Sequence, residues 1–305
     1  MSNILVTGGA GFIGTNLIKR LIHDGHSIVS MDNYSSGKKE NHQNGCSYHD
    51  IDLSKSLNIE KELLIETLNN GGFDIIFHLA ALARIQPSII KPSKTIQNNF
   101  NGILNILEYA RKNNIQVVYA GSSSKHHGLY GSPYAWSKYG GEELCKLYSN
   151  IYGLDTSICR FYNVYGEYQL EKGEYATVIG IFEKQFREGL PLTITGDGEQ
   201  RRDFTHVDDI VNGLIACIGK DFKAEFFELG RGVNYSINEV AEMFGANYPK
   251  KYISERKGEY PFTLADYSKA KTMLGYKPIQ SLKTYLTTKL SENMIEPTAS
   301  LNNYV

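Results

Sequence analysis

Residues 3–14, NILVTGGAGFIG, decide the fold. A short apolar run with the length of a buried strand meets glycines at positions 8, 11 and 14, and the amphipathic NLIKRLI follows. Strand, glycine turn and helix come in the order of a dinucleotide-binding βαβ unit. Gly8 allows the tight turn, and Gly11 lets the backbone approach a pyrophosphate. Gly14 lets the helix pack on the strand, leaving the N–H groups around Phe12 and Ile13 for the anion. The next apolar run, SIVSMD, ends at Asp32, 18 residues beyond Gly14. A carboxylate there accepts from the adenosine ribose hydroxyls and repels a 2′-phosphate, so NAD is expected rather than NADP.

Further along, residues 121–138 read GSSSKHHGLYGSPYAWSK. Tyr134 and Lys138 stand one helical turn apart on one face, just after a serine cluster. Such a set can move a proton to or from an alcohol. A tyrosine of pKa ~10 needs a drop of roughly 3 units, about 4 kcal/mol, to act as a base near neutrality. One cation at ~4 Å with an effective dielectric near 20 supplies about that much. Alone, a Y-x-x-x-K pair marks an ordinary solvated helix face; the glycine turn upstream gives it chemical meaning.

The 305 residues suffice for one large α/β domain and a smaller appendage. With 41% hydrophobic and 21% charged residues and a net charge of −1, nothing in the composition invites nucleic acid or an anionic membrane. No stretch approaches the ~20 apolar residues of a membrane span, and the first strand takes up residues where a leader would stand. The cysteines at 46, 145, 159 and 217 are isolated, which suits reduced core thiols in a cytoplasmic protein.

Apolar periodicity predicts helices over 58–70, 93–113 and 134–152, with strands at 73–81, 115–123 and 156–166 between them. This alternation implies a doubly wound parallel sheet. The NAD-binding part is expected over 1–166, with 203–235 returning to it. A smaller C-terminal α/β substrate domain is expected over 167–305, including a helix at 176–188 and the strand LTIT. Asp50 at the end of CSYHD is either a cofactor contact or an acidic loop cap. Ala80 and Ala81 either let a cofactor pass or merely pack tightly.

The chain resembles the extended short-chain dehydrogenase/reductases, specifically the nucleotide-sugar epimerases and dehydratases, with the UDP-glucose 4-epimerases as nearest type. The matching stretches are TGGAGFIG, Asp32-Asn33, Asp50-Ile51, HLAALA (78–83), Asn99, the serine cluster, Tyr134-x-x-x-Lys138 and RFYNVYG (160–166). GDGEQRRDFTHVDD (196–209) and ERKGEYPFTLADYSKA (255–270) extend the likeness over almost the whole chain. It implies NAD contacts from Gly8, Gly11, Phe12, Ile13, Gly14, Asp32, Asn33, Asp50, Ile51, Leu79, Ala80, Ala81, Asn99, Tyr134 and Lys138. Ser123, five residues before Gly128, is expected to join Tyr134 and Lys138 in catalysis. Asn163, Arg202 and Arg256 are expected at the diphosphate and ribose of a UDP-sugar, Glu259 at the ribose, and Thr263 beside the sugar's 2-substituent. A homodimer through the helices at 93–113 and 134–152 is implied as well.

Within that family, dehydratases carry Asp-Glu after the catalytic threonine, and decarboxylases usually keep the glutamate. Here Ser124 and Lys125 stand there. What remains is 4-epimerisation by transient oxidation at C4, with UDP-glucose/UDP-galactose and the N-acetylated pair as candidate substrates. A 4-ketoreductase, a decarboxylase, a dehydratase or a non-catalytic NAD-binding protein are the alternatives. Ser123 and Tyr134 are only 11 residues apart, a shorter segment than family members carry, and His126-His127 replace the usual Val-Tyr. Neighbouring histidines without further ligands do not make a metal site, and no metal is expected.

Overall fold

The structure, a computed structural model, describes residues 1–55, 71–256 and 258–295. The predicted helix at 58–70 lies outside the described residues. In order, the elements are β1 (Asn3–Thr7), α1 (Phe12–His23), β2 (Ser27–Asp32), β3 (Cys46–Asp50), β4 (Ile75–His78), α2 (Ile85–Ile90), α3 (Pro92–Asn113) and β5 (Gln116–Ser122). Next come α4 (Pro133–Tyr152), β6 (Thr156–Phe161), β7 (Asn163–Tyr165), α5 (Val178–Arg187), β8 (Leu192–Thr195), β9 (Arg201–His206) and α6 (Val207–Ile215). The chain continues through β10 (Glu225–Leu229), β11 (Asn234–Ser236), α7 (Ile237–Glu242), β12 (Lys250–Ile253), α8 (Ser268–Leu274) and α9 (Leu282–Ile295).

Seven strands form one sheet in the order β10-β6-β5-β4-β1-β2-β3, and every neighbouring pair is parallel. The expected α/β class and parallel sheet are therefore observed. Parallel strands need helical crossovers, and these cover both faces. Ile103, Ile106 and Leu107 of α3 and Cys145 and Tyr148 of α4 are buried against one face. Leu17, Ile18 and Leu21 of α1 and Ile210 and Leu214 of α6 are buried against the other. A third core, built around Phe182, Phe204, Val240 and Leu286, underlies the sheets β11-β9-β7 and β12-β8.

The predicted strand over 156–166 is divided. β6 stays in the large sheet, whereas β7 pairs with β9 in the three-stranded sheet. Tyr162 marks the break: its hydroxyl donates to Glu228 of β10, while Tyr165 packs in the third core. The chain thus passes from one core to another within three residues, opening a cleft between them. On α4 the apolar stripe is divided too, since Tyr148 is buried while Leu147 and Ile151 are exposed.

Candidate active site

The C-terminal ends of the parallel strands border a cleft of about 520 Å³, where open α/β sheets bind ligands. The first turn shapes one side. Gly8 has φ +73°, a left-handed conformation that suits glycine. A Cβ on Gly14 would stand 2.2 Å from the Gly8 carbonyl oxygen, so only glycine lets α1 begin this close to β1. Gly11 is the N-cap and supplies no side-chain acceptor, leaving the first-turn N–H groups for a ligand. Asp32 closes this side: Oδ2 accepts from Ala10 N–H at 3.0 Å and Oδ1 from Tyr34 N–H at 2.8 Å. Each carboxylate oxygen keeps a lone pair for a ribose hydroxyl. Burial raises its pKa while the two backbone bonds act the other way.

Gly8, Gly11, Phe12, Ile13, Gly14, Asp32, Asn33, Ile51, Leu79, Ala80 and Ala81 all line the cleft. Two expected contacts differ. Asp50, at the end of edge strand β3, is exposed and lies outside the lining. Asn99 is buried and bonded to its own protein: Oδ1 accepts from Leu82 N–H at 2.7 Å, and Nδ2 donates to the Leu82 carbonyl and to Ser137 Oγ. It pins the loop after β4 to α4, while its neighbour Asn98 faces the cleft. On the donor set, a dinucleotide fits: a pyrophosphate at the start of α1, a ribose at Asp32 and a slot of small residues beyond β4.

The reacting end is set by α4. Ser132 caps the helix by accepting from Ala135 N–H at 3.1 Å, and Pro133 follows at its first position. That start puts Tyr134 in the first turn and Lys138 one turn on. The Tyr134 hydroxyl donates to Ser122 Oγ at 3.3 Å, and Ser122 also accepts from Ser124 Oγ at 2.9 Å. Ser122, the last residue of β5, is thus the serine hydrogen-bonded to Tyr134, whereas Ser123 was expected beside it. Ser123 begins a 3-10 turn, and although it lines the same cleft it makes no bond to Tyr134. The serine cluster was visible in sequence, but which hydroxyl meets the phenol depends on where the strand ends.

Burial raises the Tyr134 pKa, and the Ser122 bond and the Arg84 guanidinium lower it. The Arg84 guanidinium, which the sequence reading missed, is thus among the groups that favour the phenolate. Lys138 is buried, with Nζ 4.2 Å from the centre of the Tyr119 ring. Burial pulls its pKa down to about 8, opposed by the neighbouring Glu142 carboxylate. Glu142 is itself held by Arg160 through contacts of 2.7–3.2 Å, both side chains being fully buried. His126 reaches the edge of this charge cluster, with Nε2 2.5 Å from Glu228 Oε1.

Asn163, Arg202, Arg256, Glu259 and Thr263 line the cleft as well. Arg202 donates to Glu259 at 3.0 Å and to the Tyr260 carbonyl at 2.7 Å. Thr263 Oγ1 donates to Asn163 Oδ1 at 3.2 Å and accepts from Asp203 N–H at 3.0 Å. Residues distant in sequence, 163, 202–203 and 259–263, so form one polar wall of the cleft that Tyr134 and Ser122 also line.

A parallel sheet with a glycine turn shaped for a pyrophosphate, and a phenol–serine pair at its edge, defines a dinucleotide-dependent enzyme of the short-chain dehydrogenase type. Residues 4–230 match the NAD dependent epimerase/dehydratase family, and the chain belongs to it. It is 35% identical over 299 residues to a putative UDP-glucose 4-epimerase of Methanocaldococcus jannaschii, covering 92% of this chain and 94% of the relative. Its structure superposes with a TM-score of 0.86 on a UDP-glucose 4-epimerase from Thermotoga maritima solved with UDP-glucose, at 30% identity over 96% of this chain and all of the other. The UDP-glucuronic acid 4-epimerase from Bacillus cereus, solved with UDP-glucuronic acid and NAD, matches with a TM-score of 0.84 at 27% identity, covering 96% and 99% of the two chains. The protein is an NAD-dependent enzyme of nucleotide sugars.

Proposed function

We propose that this protein is a 4-epimerase of UDP-sugars, interconverting UDP-glucose and UDP-galactose and, through the small residue Thr263, their N-acetylated counterparts. The observation carrying this reading is the pairing of Tyr134 with Ser122 in a segment without the acid and base that elimination of water requires. Ser124 turns its hydroxyl to Ser122, and the Lys125 ammonium lies over the Tyr139 ring, 4.8 Å from its centre. Tyr134, as phenolate, takes the proton of the 4-hydroxyl and later returns it. Ser122 holds the same oxygen, and Lys138 keeps the phenolate's proton balance. NAD, when bound, accepts the C4 hydride and gives it back. Arg202, Arg256 and Glu259 grip the nucleotide while the 4-keto sugar presents its other face.

In this reading 1–166 with 203–235 bind NAD and 167–305 hold the sugar nucleotide. Two copies pair through α3 and α4, the latter exposing Trp136, Leu147 and Ile151. The test is incubation with a panel of UDP-sugars and NMR resolution of the products. Equilibration of 4-epimers at constant nicotinamide absorbance is expected. Net NADH consumption would identify a reductase, and no turnover of any sugar would sink the reading.

A further inference from the structure

Ser122 and Tyr134, the hydroxyls paired in the cleft, are joined by the short segment 123–133, which opens with the 3-10 turn Ser123–His127. The near end of that turn is tied to Ser122, whose Oγ accepts from Ser124 N–H at 3.2 Å and from Ser124 Oγ at 2.9 Å. Directly beyond the turn the chain is loosely packed. Gly128 has φ +103°, and a Cβ there would meet nothing within 4 Å among the described residues. Within the turn, Lys125 rests over the Tyr139 and Phe226 rings, contacts that lack the direction of a hydrogen bond. His126 makes the directed contact, with Nε2 2.5 Å from Glu228 Oε1. A ring carrying Nε2–H donates to a carboxylate whether it is neutral or charged.

Glu228 is a fixed anchor for that bond. It stands on β10 opposite Arg160 of β6, and its side chain is only 9% exposed. Oε2 accepts from the Tyr162 hydroxyl at 2.8 Å and from Asp266 N–H at 2.9 Å, while Arg160 Nη1 lies 3.9 Å from Oε1. Tyr162 lines the cleft at the break between β6 and β7, and Asp266 follows closely on Thr263 of the polar wall. One carboxylate thus refers the turn after β5 to the backbone on the other side of the cleft. The His126 side chain is 42% exposed, so removing it takes little packing away. Glu228 would keep its other partners and stay satisfied, and the turn alone would be released.

In the reading above, on which this inference rests, Ser122 keeps its hydroxyl on the oxygen that Tyr134 serves. We propose that His126 is a positioning residue for the reaction: its bond to Glu228 fixes the turn that follows β5 and so holds the Ser122 hydroxyl on Tyr134. The test is a mutant cycle on the NAD-loaded protein with UDP-glucose as substrate, together with a crystal structure of His126→Ala. His126→Ala should lower kcat by about tenfold, with KM and the affinity for UDP within about threefold, because its effect passes through one hydroxyl at the reacting oxygen. In a Ser122→Ala background the same change should cost less than about twofold. His126→Gln places an amide N–H at the reach of Nε2 and should recover at least about half of the wild-type kcat. In the crystal structure of His126→Ala, the Ser122–Tyr134 separation should exceed about 3.5 Å. Should the alanine variant not fold, His126→Phe serves, because it keeps a ring of similar size without the donor. An unchanged Ser122–Tyr134 separation, or a loss of kcat that persists in full in the Ser122→Ala background, overturns the proposal. The crystallographic comparison needs no turnover, so a protein that epimerises no sugar would refute the 4-epimerase reading and leave that comparison to decide the role of His126.

Discussion

Replacing Ser122 with alanine removes the hydroxyl to which Tyr134 donates at 3.3 Å. When the phenol ionises, the direction of this bond reverses and the serine donates to the phenolate. A hydrogen bond to a charged group contributes roughly 1.5–3 kcal/mol, and the length of this one places it at the lower end. About 1.5 kcal/mol corresponds to roughly tenfold in kcat/KM. The pH dependence gives a second readout. The Ser122 bond lowers the Tyr134 pKa, so removing it raises that pKa and moves the ascending limb of kcat/KM to higher pH. Ser123 makes no bond to the phenol, so Ser123→Ala should leave the limb in place and change kcat/KM by about twofold at most. Because Ser124 N–H also donates to Ser122 Oγ at 3.2 Å, Ser122→Ala loosens the following turn by about 1 kcal/mol. Urea unfolding separates that loss from the catalytic one. A tenfold loss in Ser123→Ala with Ser122→Ala near wild type would refute the reasoning.

Tyr134→Phe should lower kcat by roughly 10²–10⁴-fold with NAD and UDP affinities retained, and keeping more than about a tenth of the activity would remove Tyr134 from the role of base. Asp32→Asn should narrow the preference for NAD over NADP by about tenfold, because the charge opposing a 2′-phosphate is gone; an unchanged calorimetric ratio would show that the carboxylate does not face the ribose. Arg160→Met leaves the Glu142 carboxylate fully buried without its partner and should cost about 3–5 kcal/mol in urea unfolding, so a cost under about 1 kcal/mol would contradict the pairing seen here. Thr263→Tyr overfills a 4%-exposed position in the polar wall. It should depress kcat/KM on N-acetylated UDP-sugars by about tenfold more than on the plain pair, and equal losses would show that residue 263 does not border the 2-substituent.

What the sequence by itself determined was local. Gly8, Gly11, Gly14 and Asp32 lie within one βαβ unit, where backbone sterics and strand length leave little choice, so the turn and the parallel sheet could be read from spacing. The helix carrying Tyr134 and Lys138 was legible for the same reason: Ser132 and Pro133 fix its first turn, and helical geometry fixes the rest. Tertiary structure decided where neighbours in space are distant in sequence. Asn99 matched a motif, yet packing turned it toward Leu82 and Ser137 and gave the cleft to Asn98. Ser122 replaced Ser123 because β5 ends one residue earlier than the apolar pattern suggested, and successive side chains on a strand point to opposite faces. Helical spacing put Lys138 one turn from Tyr134, and only the fold set its ammonium over the Tyr119 ring. Arg84 had no spacing to mark it. It joins the cleft wall only because the loop after β4 folds back beside the residues of α4.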